Sequence, residues 1–159
     1  MMGKRTILVL FALCLLWGCA EKPGGMIDMR ADSTMDCPTS PNCVSSQATN
    51  PERKVEPFQL KQDNKENWLR IQAHISSMPG TRMINCSDTV IHAECKSRLF
   101  GFIDDLTLKL DPLTGKIDIR SAARTGYYDF GVNIRRITRL REQLESKNMI
   151  EIPQLSPVP

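Results

Sequence analysis

Between residues 82 and 122 the apolar side chains recur at every second position. This period of two, broken by short polar joints, limits the fold more than any other feature of the chain. In Val90–Leu99, Ile91, Ala93 and Cys95 alternate with His92, Glu94 and Lys96. Leu106, Leu108 and Leu110 alternate in Ile103–Leu110, and Ile117 and Ile119 do so in Lys116–Ala122. Arg82–Ser87 is the first run of the series. The joints Ser87-Asp88-Thr89-Val90 and Asp111-Pro112-Leu113-Thr114-Gly115 carry turn chemistry, and the second suits a hairpin with Gly115 at positive φ. Alternating runs with tight joints predict an antiparallel meander with one buried face.

Two flanking segments change to a helical period. Trp68, Ile71, Ile75 and Met78 recur on one face, Asp63 and Glu66 form a capping-box pattern before them, and Pro79-Gly80 stops the helix. Ile134, Ile137, Leu140 and Leu144 form a second stripe flanked by Arg135, Arg136, Arg139 and Arg141, with Asn133 as the expected N-cap. Lys54–Leu60 reads as a further strand, placed at an edge because Pro57 cannot donate to a ladder. The order β-α-β-β-β-β-α predicts a two-layer α+β domain: an antiparallel sheet of four to five strands with two helices on one face. The domain is expected over 37–148, followed by a proline-rich tail, 149–159, outside the core. No repeat at a solenoid period is present.

The first residues set an expected compartment. Lys4 and Arg5 precede an apolar run, Ile7 to Leu16, that is too short to span a bilayer and fits the core of a secretory signal. The run closes on Leu16-Trp17-Gly18-Cys19, which resembles the bacterial lipobox. The resemblance implies a signal peptide over 1–18 and acylation of Cys19 by chains such as palmitate. Several chains together hold a protein stably on a membrane, where one would not. The alternative is an ordinary signal peptide or an uncleaved anchor with an incidental Cys19. Residues 19–36, polar and holding Pro23, Gly24 and Gly25, read as a flexible tether. Ala20 and Glu21 follow the anchor with no aspartate beside it, which points to the periplasmic face of the outer membrane if the organism is Gram-negative. Without Lys4 and Arg5 the chain carries 19 basic against 18 acidic side chains, a balance that excludes a nucleic-acid footprint.

In an oxidising envelope, paired cysteines close as disulfides. Cys37 and Cys43 enclose five residues, two of them prolines, and a structural disulfide is the expectation. Free or redox-active thiols and a metal clip are the alternatives. The spacing is not that of a C-x-x-C redox site, and with His74 and His92 the only histidines a tetrahedral metal lacks ligands, so neither metal nor cofactor is expected. A two-residue turn at Asp88-Thr89 would place Cys86 opposite Ile91, with Cys95 on the order of 13 Å further along the same face. That exceeds the roughly 7 Å Cα separation a disulfide permits. Cys86 and Cys95 are therefore expected as separate, buried, inert thiols.

The densest polar stretch is Arg120-Ser-Ala-Ala-Arg124-Thr-Gly-Tyr-Tyr-Asp129-Phe-Gly-Val-Asn133-Ile-Arg-Arg136. With Arg98, Asp104 and Asp105 from the neighbouring strands, it supports two readings. One is an anion or polar-ligand site, built from a helix N-terminus and arginines. The other is an internal network pairing Arg98 and Arg124 with Asp104, Asp105 and Asp129. Asp129-Phe130-Gly131 matches a kinase triplet but lacks the companion motifs, and no Gly-x-Ser-x-Gly frames a serine. His92 and His74 read as solvated residues, and Tyr127, Tyr128 and Phe130 as packing at the start of the second helix, with the lining of a pocket as the alternative.

Three stretches occur in order: Cys37-Pro-Thr-Ser-Pro-Asn-Cys-Val-Ser45, Ser97-Arg-Leu-Phe-Gly-Phe-Ile-Asp-Asp105, and Arg120 to Arg136. Together they resemble the bacterial and plastid family called domain of unknown function 1499, over roughly residues 36 to 145. The resemblance implies the fold and an envelope setting but transfers no activity. The reading that follows is a membrane-tethered, non-catalytic binding or scaffold module, with an envelope protein or an anionic ligand as partner. The alternative is an envelope enzyme acting on a small anionic or lipid-head-group substrate, with Asp104, Asp105 or Asp129 as base and Arg124 or Arg136 holding the anion.

Overall fold

A computed structural model describes residues 35–61, 65–97 and 100–151. Six strands and two helices follow one another: β1 (Cys43–Ser45), β2 (Phe58–Gln59), α1 (Lys65–Ser77), β3 (Thr81–Cys86), β4 (Val90–Lys96), β5 (Ile103–Leu110), β6 (Lys116–Ala123) and α2 (Val132–Ser146). They form one antiparallel sheet of order β1-β6-β5-β4-β3, with β2 also paired to β6. The meander from β3 to β6 follows the alternating runs. The sixth strand, β1, lies in a proline-punctuated stretch where no alternating run announces it. It is three residues long, too short to display a period, and exists because β6 offers Ser121 and Ala122 as partners to Val44 and Cys43. The strand expected over Lys54–Leu60 shrinks to two residues immediately after Pro57, where the chain first regains an N–H to donate.

Alternation decides which side chains enter the core. Ile91, Ala93 and Cys95 of β4, Leu106 and Leu108 of β5, and Ile117 and Ile119 of β6 point to one face. Trp68, Ile71 and Ile75 of α1 and Ile137, Leu140 and Leu144 of α2 cover them, giving a two-layer α+β domain. Burying each isoleucine or leucine among them stabilises the fold by about 1.5–3 kcal/mol. The Trp68 indole N–H is not stranded in this core, since it donates to the Ser87 carbonyl at 2.9 Å. Ile134 leaves the stripe on which the sequence placed it and is exposed, because α2 turns its first apolar position away from the sheet.

The joints behave as their chemistry directs. Cys86 pairs with Ile91 across the β3–β4 turn. Gly115 adopts φ 70° and closes the β5–β6 turn, where Asp111 accepts from Leu113 N–H and Thr114 Oγ1–H. The Asp63 cap expected for α1 lies outside the described residues. Two boundaries move. Met149 and Ile150, the first apolar residues of the expected tail, are buried in the core, and Ile150 bridges to Leu60. At the other end Met35 is also buried and its carbonyl accepts from Ser45 Oγ, so the last residues of the expected tether belong to the domain.

Candidate functional site

Asp104 and Asp105 are neighbours at the start of β5, and a strand turns successive side chains to opposite faces. The cluster that the sequence suggested is thereby divided in two. Asp104 faces the helices and Asp105 the other side of the sheet.

On the helix side, Arg136 from the first turns of α2 reaches down to the sheet. Its Nη2 lies 2.6 Å from Asp104 Oδ2, while Nη1 donates to Ser121 Oγ at 2.9 Å and Asn133 Oδ1 at 2.7 Å. Ser121 Oγ–H donates to the same Asn133 oxygen at 2.6 Å. Asn133 is fully buried. Its amide Nδ2 donates to the Asn42 carbonyl at 3.0 Å and to Asp129 Oδ2 at 2.9 Å. Asn133 is therefore not the N-cap. The helix starts at Val132, Gly131 occupies the cap position at φ 74°, and the Asp129 carboxylate performs the capping. It accepts from Gly131 N–H at 3.0 Å and Asn133 N–H at 2.8 Å. A carboxylate there satisfies free helix N–H groups and complements the helix dipole.

The cysteine loop locks onto this node. Cys37 and Cys43 form the expected disulfide, with Cα atoms 5.7 Å apart. The loop it closes presents Asn42, whose Nδ2 donates to the Gly126 carbonyl and whose own carbonyl accepts from Asn133 Nδ2 and, at 2.9 Å, from Ala123 N–H. Asn42, Asp104 and Asn133 come from the three stretches that carry the family resemblance, so these stretches converge on one buried polar network.

On the outer face, Arg124 clamps Asp105 with Nε at 2.8 Å and Nη2 at 2.7 Å, and its Nη1 lies 2.7 Å from Glu94 Oε1. Arg82 engages the second Glu94 oxygen at 2.6 Å. His92 Nε2–H donates to Asp105 Oδ1 at 2.9 Å, because the carboxylate can only accept. Its Nδ1 is buried with no hydrogen-bond partner among the described residues. His92 is thus buried rather than solvated. Burial alone would raise the Asp105 pKa, but hydrogen bonds from His92 and Arg124 outweigh it and hold the carboxyl well below the usual carboxylate range. The same bonds, with those to Glu94, hold Arg124 more firmly in its charged form. Arg120, on β6 and buried, donates from Nε to the Asp36 carbonyl at 3.0 Å. Arg98 lies outside the described residues.

Of the expected site residues, Asp104, Asn133, Arg136 and Asp129 meet on one face, and Asp105 and Arg124 on the other. Ser121, Asn42, Glu94, Arg82 and His92 join them. Glu94 and His92 were detectable as polar members of an alternating strand, but their partner Asp105 depends on the β4–β5 register, in which Glu94 pairs Asp105. Cys95 is buried and free, and burial raises its pKa, as expected of an inert thiol. Cys86 differs from expectation, since it is not a free thiol. Among the described residues, no group of three or more His, Cys, Asp or Glu side chains is placed to hold a metal ion. A shallow cleft of about 300 Å³, lined by Leu60, Lys65, Trp68, Thr89 and Leu110 among others, opens at the far end of the sheet and contains none of the expected site residues.

The fold and this node define an α+β domain organised around a disulfide-closed loop and a buried Arg–Asp–Asn network. The model of the family described as Protein of unknown function (DUF1499) matches residues 23–144, and the chain belongs to that family. No curated protein and no solved structure matches the chain.

Proposed function

We propose that this protein is a lipid-anchored, non-catalytic binding or scaffold module of the bacterial envelope, attached through Cys19 to the periplasmic face of the outer membrane where the host is Gram-negative. One observation carries the non-catalytic part. The positions an external anion would need are filled by the chain's own oxygens. Asp129 takes the N–H groups at the start of α2, and every guanidinium nitrogen of Arg124 has a carboxylate partner. Asp105, held far below the usual carboxylate range, is a poor general base near neutral pH. The lipobox-like ending at Cys19 supports the anchor, and a closed Cys37–Cys43 bridge suits an oxidising compartment.

The test is the intact mass of the protein taken from native membranes, with and without reduction and alkylation. The expected result is an acylated chain beginning at Cys19, with a disulfide mapping to Cys37–Cys43. Cys19→Ala should release the domain from detergent-phase fractions. A chain that retains residues 1–18, with both loop thiols open to alkylation, would overturn the proposal.

A further inference from the structure

Seven aromatic residues fall within the described segments, and only Phe58 and Trp68 belong to the core. The other five, Phe100, Phe102, Tyr127, Tyr128 and Phe130, are exposed, from 56% for Phe102 to 88% for Phe130. The sequence suggested that Tyr127, Tyr128 and Phe130 pack at the start of α2, and they do not. All five lie at one end of the domain. The loop before β5 and the loop after β6 leave adjacent strands side by side, joined by Arg124 N–H donating to the Ile103 carbonyl at 3.1 Å. Exposed Ile134, on the first turn of α2, extends the patch. Natural surfaces seldom gather this much apolar area without a partner.

The charge around the rings selects the partner. Among the described residues of 96–103 and 124–135 the basic side chains are Lys96, Arg124 and Arg135, of which Arg124 is paired with Asp105 and Glu94, and the acid is Asp129. Asp129 is engaged in capping α2. The Lys96 stem lies beside Gly101, between Phe100 and Phe102, and Arg135 donates to the Phe130 carbonyl at 2.9 Å. A cation therefore flanks each aromatic loop. Amphipathic rings beside lysine and arginine match the boundary between acyl chains and anionic headgroups. Fifteen residues separate Cys19 from Met35, at most about 55 Å when fully extended, so an anchor at Cys19 keeps this end within reach of the bilayer.

We infer that the aromatic end formed by Phe100, Phe102, Tyr127, Tyr128 and Phe130 docks on an anionic bilayer surface, a second contact that orients the domain. The inference rests on the lipid-anchored reading and deepens it. The experiment uses the full chain as processed in its host, bound to phosphatidylglycerol–phosphatidylcholine vesicles or to phosphatidylcholine vesicles. Hydroxyl-radical footprinting reads the five rings against Leu113, which is exposed at the opposite end of β5. Flotation and intact mass are measured on the same samples, for the wild type and for the triple variant F100S/Y127S/F130S. The expected result is oxidation of the five rings severalfold slower on the anionic vesicles, with Leu113 unchanged and protection reversed by salt. Flotation with rings oxidised as fast as Leu113 would overturn the docking surface and leave the anchor standing. Equal protection on both compositions would overturn the choice of anionic lipid. Protection in native membranes but not in vesicles would make the partner a protein and overturn the inference. Flotation without acylation of Cys19, lost in the triple variant, would overturn the anchor and support the docking surface.

Discussion

Asp104 and Asp105 are adjacent, chemically identical and each bound to an arginine, yet they differ in what surrounds them. Asp104 and its partner Arg136 have side chains 6% and 12% exposed, enclosed between sheet and helix. Asp105 and Arg124 stand at 22% and 40% on the outer face, joined to Glu94, Arg82 and His92. A buried pair is costly to break, because the surviving charge has lost water and gained nothing. A half-exposed pair can return to water. The same dipeptide thus contributes one residue that holds the architecture together and one that tunes the charge of a surface.

The largest effect should come from breaking the inner pair. Asp104→Ala leaves Arg136 buried beside Ser121 and Asn133 alone and should cost about 3–5 kcal/mol in chemical denaturation. The exchange D104L/R136M should recover most of that loss, because it removes both charges. A loss for D104A no greater than for an exposed pair would show that the node does not carry the fold.

Opening the cysteine loop is the next largest perturbation. Cys37→Ser should cost about 2 kcal/mol through loop-closure entropy. Asn42 links that loop to Asn133, so amide exchange should rise over residues 123–136 and stay unchanged over β3 and β4. A uniform rise would instead mark a global loss that does not distinguish the two regions.

The outer pair should be weaker and should depend on pH. Asp105→Asn is expected to cost about 1 kcal/mol near neutrality, after discounting for solvent. The folded-state pKa of Asp105 lies below its unfolded value of about 3.9, so the unfolded chain binds the proton more readily. The stability it contributes is present above that value and declines as the pH falls from there toward the folded pKa. The gap between wild type and D105N should therefore narrow in acid. A gap constant through strongly acid solution would mean that Asp105 does not supply the effect. Arg82→Ala, which removes the most exposed member, should cost less than about 1 kcal/mol, and added salt should weaken what it contributes.

The parts of this protein that were readable in advance are those that repeat. Strands β4 to β6 announced themselves through alternation, both helices through their stripes, and the Asp111–Gly115 turn through its residues. β1 was hidden because three residues cannot show a period, and Ile150 because the prolines after it suggested a tail. Cys37–Cys43 was legible through spacing and setting. The capping of α2 was misplaced by four residues, because Asn133 has the right chemistry for a cap while the backbone at Asp129 and Gly131 makes the turn.

The candidate site was legible as a composition and not as an arrangement. Its arginines and aspartates could be named from one stretch and a neighbouring strand. That Asp104 and Asp105 face apart follows from the pleat, but which arginine meets which aspartate does not, since that needs the β5–β6 register and the angle at which α2 crosses the sheet. The exposure of Phe100, Phe102, Tyr127, Tyr128 and Phe130 was equally out of reach. An aromatic cluster beside a helix has the same letters whether it packs inward or faces water. Local periodicity and turn chemistry act within a few residues, so the sequence by itself determined the elements, their order and the buried face. Burial of a side chain depends on what the rest of the chain places over it, so only the tertiary structure decided which charges are enclosed, which partner each takes and which rings are left bare.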